Sequence, residues 1–529
     1  MKSTSEATKP DSTSAVASKP NRTPFWLGML TLLFAVAYVL PGLTGHDPWK
    51  QDEAESVGIV HNMLETGDLV VPRLDADPSA DPYLEKQPAF YITAAVIADL
   101  YDGALSLPLP EGVAVPEALK LSSDDAARLA TGFYLFVLFG FTALLGRATW
   151  VRDGQNSGEG AIALLVLMGT LGLIQSAHFL IPDIALSAGV AMALYGLVIA
   201  PRRVLWGGIW LGSGAGLAFM SKGLFGPGIV GVTALLMPLF RDWRSGRYLR
   251  VLIVALLAAL PWLLIWPTLL YLRDPQLLQA WLWDYNIDHY AAVYEQFGTP
   301  ATADFWLRTL PWFTFPAALL AVLTLFVRVL DTWSSPGVRV VLVASIVGWA
   351  VLLAVPGARE LQALPLLAPL AVIAAGGVKH LPRWITTLGY LLTVLVFGLG
   401  AVLLWGLWIY HMFTGQPLQH GALAAYLPTD FDFVWHPVAF ITAAFFTVIW
   451  IWIAARSRAP RSASLLAWPA GVIMIWGLAA LLHLPWLDAA NAYRGDASQA
   501  SVPAAVADPV TVPVRVTAPH AEIHGAAPG

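Results

Sequence analysis

Between residues 46 and 68 the chain carries its densest group of side chains able to move protons or hold ions: His46, Asp47, Lys50, Asp52, Glu53 and Glu55, then His61, Glu65 and Asp68. Paired carboxylates such as Asp52 and Glu53 suit general-base work, and the same pair at a helix start also caps free amides and complements the helix dipole. A helix is expected over 53–66, stopped by Gly67 and lying along a membrane surface. Other polar groups recur singly: Glu85 and Lys86 in Tyr83-Leu84-Glu85-Lys86-Gln87-Pro88, His178 and Asp183 before an apolar run, Lys222 in Ser221-Lys222-Gly223, Asp288-His289, and Arg359-Glu360. Taken one at a time, each also reads as a helix cap or as an interface anchor whose lysine stem snorkels. The chain has no cysteine, which excludes disulfides, thiolate metal sites and thiol nucleophiles. No Gly-rich phosphate loop of P-loop or dinucleotide-binding type is present.

The elements that must position these groups are set by composition. Of 529 residues, 57% are hydrophobic and 12% charged, with mean hydropathy +0.64, against about 45–50% apolar and about 25% charged in soluble domains. A hydrocarbon core about 30 Å thick takes about 20 apolar residues per helical crossing. Apolar runs at 25–40, 126–146, 160–177, 184–200, 204–220, 223–240, 251–272, 309–327, 340–356, 361–378, 385–410, 434–455 and 462–483 make thirteen crossings. The expected fold is an all-α integral membrane protein. A nucleic-acid-binding module, a secreted disulfide scaffold and an ordinary cytosolic enzyme are excluded. The run at 25–40 reads as an uncleaved anchor, because the leader before it is polar and no A-x-A site precedes Trp49. The stretch 88–98 is too short to cross and reads as interfacial.

Charge sidedness fixes the topology. With 88–98 kept on one face, the loops sharing a side with the N-terminus hold 19 of the 30 basic residues and 6 of the 35 acidic ones; the opposite face holds 11 basic and 29 acidic. The positive-inside rule places the basic face, with the N-terminus, in the cytoplasm and the C-terminus outside. The domains then read as a disordered cytoplasmic tail at 1–24, a polytopic domain at 25–483 whose first external loop, 43–125, carries interfacial helices and the candidate catalytic acids, and a weakly structured external tail at 484–529. Further external loops fall at 273–308 and 411–433.

Taken in order, these motifs resemble those of the polyprenyl-phosphate-sugar-dependent glycosyltransferases of GT-C fold, the superfamily of protein O-mannosyltransferases and ArnT-like lipid A aminoarabinose transferases. The resemblance covers 49–369 and rests on Asp52-Glu53, Asn62-Met63-Leu64-Glu65-Thr66-Gly67-Asp68 followed by Val71-Pro72-Arg73-Leu74, Tyr83-Leu84-Glu85-Lys86, Ile181-Pro182-Asp183, Ser221-Lys222-Gly223, Asp288-His289 and Arg359-Glu360-Leu361. It implies that Asp52 is catalytic and assisted by Asp183. It also implies that Glu53, Lys86, Lys222, Arg359 and His289 meet the substrates, with Lys86 and Lys222 on the lipid phosphate. Glu85 and His289 match positions that share a divalent metal in ArnT-like members. The chain departs from the pattern where Glu55-Ser56 replaces Arg-Tyr, Gln87 replaces the first Pro of Lys-Pro-Pro, and Gln362 replaces an aromatic. The residue following His289 also lacks the expected basic character, and no large soluble C-terminal domain is evident.

The topology gathers Asp52, Glu85, Lys86, Asp183, Lys222, His289 and Arg359 on the external face. A polyprenyl-phosphate sugar needs an apolar groove for its tail and fixed positive charge for its leaving phosphate, which Lys86, Lys222 and Arg359 supply. Asp52 then deprotonates an acceptor hydroxyl attacking from the opposite side, which inverts the anomeric carbon. The expected function is therefore a glycosyltransferase of the bacterial inner membrane acting on a lipid A-like lipid, a protein or a glycan; no nucleic acid is involved. The alternative, a transporter or lipid or glycan flippase, predicts charges in mid-span, where this chain has few. A reporter active only outside the cytoplasm should be active when fused after Ser106 and silent when fused after Arg244. Activity of the Arg244 fusion would overturn the topology.

Overall fold

A computed structural model of the chain describes residues 25–74, 81–106, 120–150, 158–288, 300–328, 335–354, 358–415, 435–457 and 464–491. Among these the structure is helical. Between α1 (Phe25–Val39) and α4 (Ser123–Thr149) lie α2 (Gln51–Thr66) and α3 (Ala89–Leu105). Then come α5 (Glu159–Met168), α6 (Leu171–Ser176), α7 (Pro182–Ile199), α8 (Val204–Lys222), α9 (Phe225–Leu236), α10 (Gly246–Arg273) and α11 (Pro275–Leu282). The remainder is α12 (Pro300–Phe313), α13 (Ala317–Val327), α14 (Pro336–Ala354), α15 (Leu364–Gly377), α16 (Arg383–Thr414), α17 (Pro437–Arg456) and α18 (Ser464–Asn491).

Nine of the described helices are long and apolar enough to cross a membrane, and α12 with α13 forms a bent tenth; three shorter apolar helices, Gly28–Val39, Glu159–Met168 and Phe225–Leu239, occupy the other expected runs. The chain is a multi-pass membrane protein. Helix α3 continues past Asp99 and Asp102 and is not among the spanning set. Each long-range ion pair among the described residues joins charges assigned to the same face: Arg339 with Asp242 and Lys379 with Glu159 on one, Lys86 with Asp52 and Lys222 with Asp183 on the other.

Three expectations are corrected. The run 160–177 is not one helix but breaks at Gly169-Thr170, and 309–327 bends by 85° between α12 and α13. The two breaks meet: Leu171 N donates to Phe315 O at 2.9 Å, so each satisfies a backbone group that the other leaves free, as irregular backbone at membrane depth requires. The tail boundary also moves, since α18 runs to Asn491 and takes in 484–491. The segments 1–24 and 492–529 lie outside the described residues.

Helix α7 packs between α4 and α8 and is buried along most of its length, as is the segment Glu360–His380, whereas α10, α16 and α17 form the periphery. Close approach depends on small residues, as in other membrane bundles. A Cβ at Gly212 would overlap the carbonyl of Ala255, so only glycine lets α8 lie this close to α10.

Candidate active site

Helix α2 opens the site. Its N-cap is Lys50, whose side chain makes no capping bond, and its C-cap is Gly67 at φ 70°, with the Gly67 amide donating to Met63 O at 3.0 Å. Asp52 therefore sits inside the first turn, and its carboxylate serves cations instead of amides. Oδ1 accepts from Lys86 Nζ and from Arg359 Nη1, each at 3.2 Å. Burial works to raise the Asp52 pKa, but the charges of Lys86, Lys222 and Arg359 outweigh it and hold the carboxyl below its usual value.

Lys86 reaches Asp52 from the loop between α2 and α3, which is tied back on itself by Tyr83 N donating to Pro72 O at 2.7 Å. Its ammonium also donates to Glu55 Oε2 at 3.1 Å, and Tyr83 Oη donates to the same oxygen at 2.9 Å. Burial disfavours the charge on Lys86, yet Tyr91, Tyr83, Asp52 and Glu55 hold its pKa above the ordinary lysine value. Asp183 lies in the first turn of α7 behind Pro182 at the helix start, and Lys222 ends α8, positions that suit the two helix dipoles. Their side chains meet at 2.6 Å. Gly223 ends α8 at φ 60°, a conformation glycine adopts freely, and its Cα faces the Gln87 carboxamide.

Asp52, Lys86, Asp183, Lys222 and Arg359 are thus brought together from five separate segments. They differ in access. The Lys86 side chain is 3% exposed, that of Lys222 23% and that of Arg359 63%, so Lys222 and Arg359 present open positive charge while Lys86 is enclosed by carboxylates.

Glu53, expected to meet substrate, is fully buried. Its Oε1 accepts from Arg128 Nε at 3.0 Å and Leu180 N at 3.2 Å, and its Oε2 from Trp49 N at 3.3 Å. It joins α2 to α4 and to the lead-in of α7 and has no surface open to a ligand. Glu85 is exposed and accepts a long bond from Tyr83 Oη at 3.5 Å. His289 lies outside the described residues. Among those described, no three His, Cys, Asp or Glu side chains converge to hold a metal ion. Glu85 by itself does not make a ligand set, since a catalytic zinc takes three protein ligands.

No protein-family profile matches the sequence. It is 28% identical over 312 residues to an undecaprenyl phosphate-alpha-4-amino-4-deoxy-L-arabinose arabinosyl transferase of Sodalis glossinidius, covering 56% of this chain and 50% of that protein. With the corresponding transferase of Serratia proteamaculans it shares 25% over 308 residues, covering 56% and 48%. The chain spans about half the length of these curated relatives. In structure it is similar to ArnT from Cupriavidus metallidurans in the apo state, with TM-score 0.61 at 16% identity over 88% of this chain and 77% of that one. The same protein bound to undecaprenyl phosphate gives TM-score 0.56 at 17% identity over 87% and 77%. The chain has the GT-C fold.

Two residues of the site carry contacts that sequence reasoning did not assign: Glu55 was noted only as one of the acidic cluster, and Arg128 was not singled out. Glu55 lies three residues after Asp52, on the same helical face, and that spacing was the available signal for its bond to Lys86. Arg128 lies within an apolar run, where a charge needs a partner; it is fully buried against Glu53 and also donates to Asp125 Oδ1 at 2.9 Å. Removing one member of such a pair leaves an uncompensated buried charge and costs about 3–5 kcal/mol. Glu53→Met should therefore strongly lower the melting temperature of the purified protein, and adding Arg128→Met should recover much of the loss. A single variant that melts like the wild type would contradict the holding role.

Proposed function

We propose that the chain is a membrane glycosyltransferase that moves a sugar from a polyprenyl-phosphate carrier to an acceptor on the external, periplasmic face of a bacterial inner membrane. The observation that carries this reading is the pairing of Asp52 with Lys86 and Arg359 beside the Lys222–Asp183 pair, with Lys222 and Arg359 open to approaching anions, in a helical membrane domain. Support for the donor class comes from the relatives, named for an undecaprenyl phosphate-linked amino sugar, and from the similar ArnT structure that binds undecaprenyl phosphate. The proposed donor is undecaprenyl phosphate carrying a pentose or amino-pentose, and the acceptor a lipid A-like lipid, a glycan or a protein.

In this reading Lys222 and Arg359 receive the carrier phosphate and stabilise the negative charge that grows on it as the glycosidic bond breaks. The acceptor oxygen attacks the anomeric carbon from the side opposite the phosphate, its proton passes to Asp52, and the bonding electrons leave with the phosphate. The configuration at the anomeric carbon inverts. Lys86, enclosed between Asp52 and Glu55, keeps Asp52 ionised and oriented. Asp183 holds the Lys222 ammonium in place. In this reading the N-terminus lies in the cytoplasm, supported by the distribution of basic loop residues.

Asp52→Asn keeps the shape of the side chain and an oxygen for Arg359 but removes the base. In proteoliposomes supplied with a polyprenyl-phosphate sugar, transfer by this variant should fall at least about a hundred-fold, within the range attributed to a positioned general base, while the melting temperature stays near that of the wild type. Near-normal transfer would mean that Asp52 only organises charge.

A further inference from the structure

Next to Asp52, a second group of polar side chains surrounds a residue to which neither the motifs nor the phosphate assign a role. Glu360 follows Arg359 directly. Where Arg359 turns to Asp52, Glu360 turns to Lys50, so two adjacent residues grip the start of α2 at two points. Glu360 Oε1 accepts from Lys50 Nζ at 3.2 Å and from Gln175 Nε2 at 3.0 Å. Its Oε2 accepts no hydrogen bond among the described residues, and the side chain is 29% exposed.

The surroundings hold these groups in register. The Lys50 ammonium stands 5.2 Å over the Phe179 ring. Trp49 Nε1 donates to Asp488 Oδ1 at 2.9 Å, and Asp47 N donates to the same oxygen at 2.7 Å, so the partly exposed indole is fixed in orientation. Gln175 comes from α6, the short helix created by the break at Gly169-Thr170. Lys50 and Glu360 are both partly exposed, so their ion pair adds little stability, and the grip on α2 uses only Oε1. A carboxylate with one oxygen oriented by two donors and the other left open is suited to accept from a ligand's hydroxyl or ammonium group.

Building on the glycosyltransferase reading, we infer that Glu360, Gln175 and Lys50, with Trp49 as an apolar wall, form the subsite that recognises the sugar ring being transferred. Glu360 Oε2 accepts from a hydroxyl or amino group of the ring, while Gln175 and Lys50 fix the carboxylate plane. Trp49 faces the C–H edges of the sugar. The carrier phosphate and the sugar are then read by different residues, Lys222 and Arg359 for the first and Glu360 for the second. Their adjacency through Arg359-Glu360 places the anomeric carbon beside Asp52.

The test measures binding to the purified full-length protein of undecaprenyl phosphate without sugar and of undecaprenyl phosphate carrying arabinose, 4-amino-4-deoxy-arabinose or mannose. The wild type should bind at least one sugar-bearing lipid about ten-fold more tightly than the bare lipid phosphate. Glu360→Ala should abolish most of that gain, and Glu360→Gln part of it, since the amide keeps an acceptor oxygen but not the charge. Both variants should bind the bare lipid phosphate as the wild type does and melt at its temperature, and in transfer assays their donor KM should rise more than kcat falls. Equal weakening of bare and sugar-bearing lipid would overturn the subsite, making Glu360 a support of the phosphate site, as would binding unchanged in both. Failure of the wild type to bind any polyprenyl phosphate would overturn the functional reading and the subsite with it.

Discussion

The Asp52 carboxylate takes Lys86 and Arg359 on a single oxygen, with Lys222 near enough to lower its pKa further. Burial opposes ionisation at this position, and the neighbouring cations outweigh it and hold the carboxyl below its usual value. That requirement explains why so much distant chain converges here. Lys86 must come down from the loop before α3, Lys222 must sit at the end of α8, and Arg359 must lead into α15. The segments that carry them are tied into the fold by features that have little to do with chemistry: the Lys86 loop by a bond from Tyr83 to Pro72, α8 by its glycine contact with α10, and Arg359 by leading into the almost wholly buried segment Glu360–His380. The charges are also matched, because Asp52, Glu55 and Asp183 balance Lys86, Lys222 and Arg359. An arriving anion can therefore be met only by the cations with open surface, Lys222 and Arg359.

The helix breaks serve the same end. Straight helices over 160–177 and 309–327 would carry apolar side chains through the membrane boundary without a change of direction. The paired breaks, closed by the bond from Leu171 to Phe315, turn the chain so that α6 delivers Gln175 to Glu360. Glu53 and Arg128 do for α2 what the breaks do for α6. They lock an interfacial helix to the bundle through one buried ion pair, whose loss would free the acidic residue next to it.

Run length was enough to find the apolar elements, and Gly67 was enough to end α2, because both depend on local residue types. The breaks fall at Gly169-Thr170 and at Pro316, local breakers that a count of apolar run length passes over; the pairing of the two breaks by the bond from Leu171 to Phe315 is tertiary and was not legible. Asp52 was ambiguous for a related reason. An acid in a first helical turn suits a cap as well as a catalyst, and the deciding partners lie 34 and 307 residues away. Adjacent residues on a helix point about 100° apart, so Asp52 facing the site turns Glu53 into the bundle, and a motif that treats the two as a pair assigns them one role where geometry gives them two. Lys86 was legible as a site residue but not as an enclosed one, since its burial depends on Glu55, Tyr83 and Asp52 together.

In the proposed reaction the open cations around Asp52, Lys222 and Arg359, receive the phosphate of a polyprenyl carrier. The most direct measurement is the dissociation constant of undecaprenyl phosphate from the purified protein, compared between the wild type and Lys222→Met, which retains much of the apolar stem. A charge-assisted hydrogen bond contributes about 1.5–3 kcal/mol, so the variant should bind about ten- to a hundred-fold more weakly. Binding of equal strength in both proteins would place the phosphate elsewhere and contradict the account.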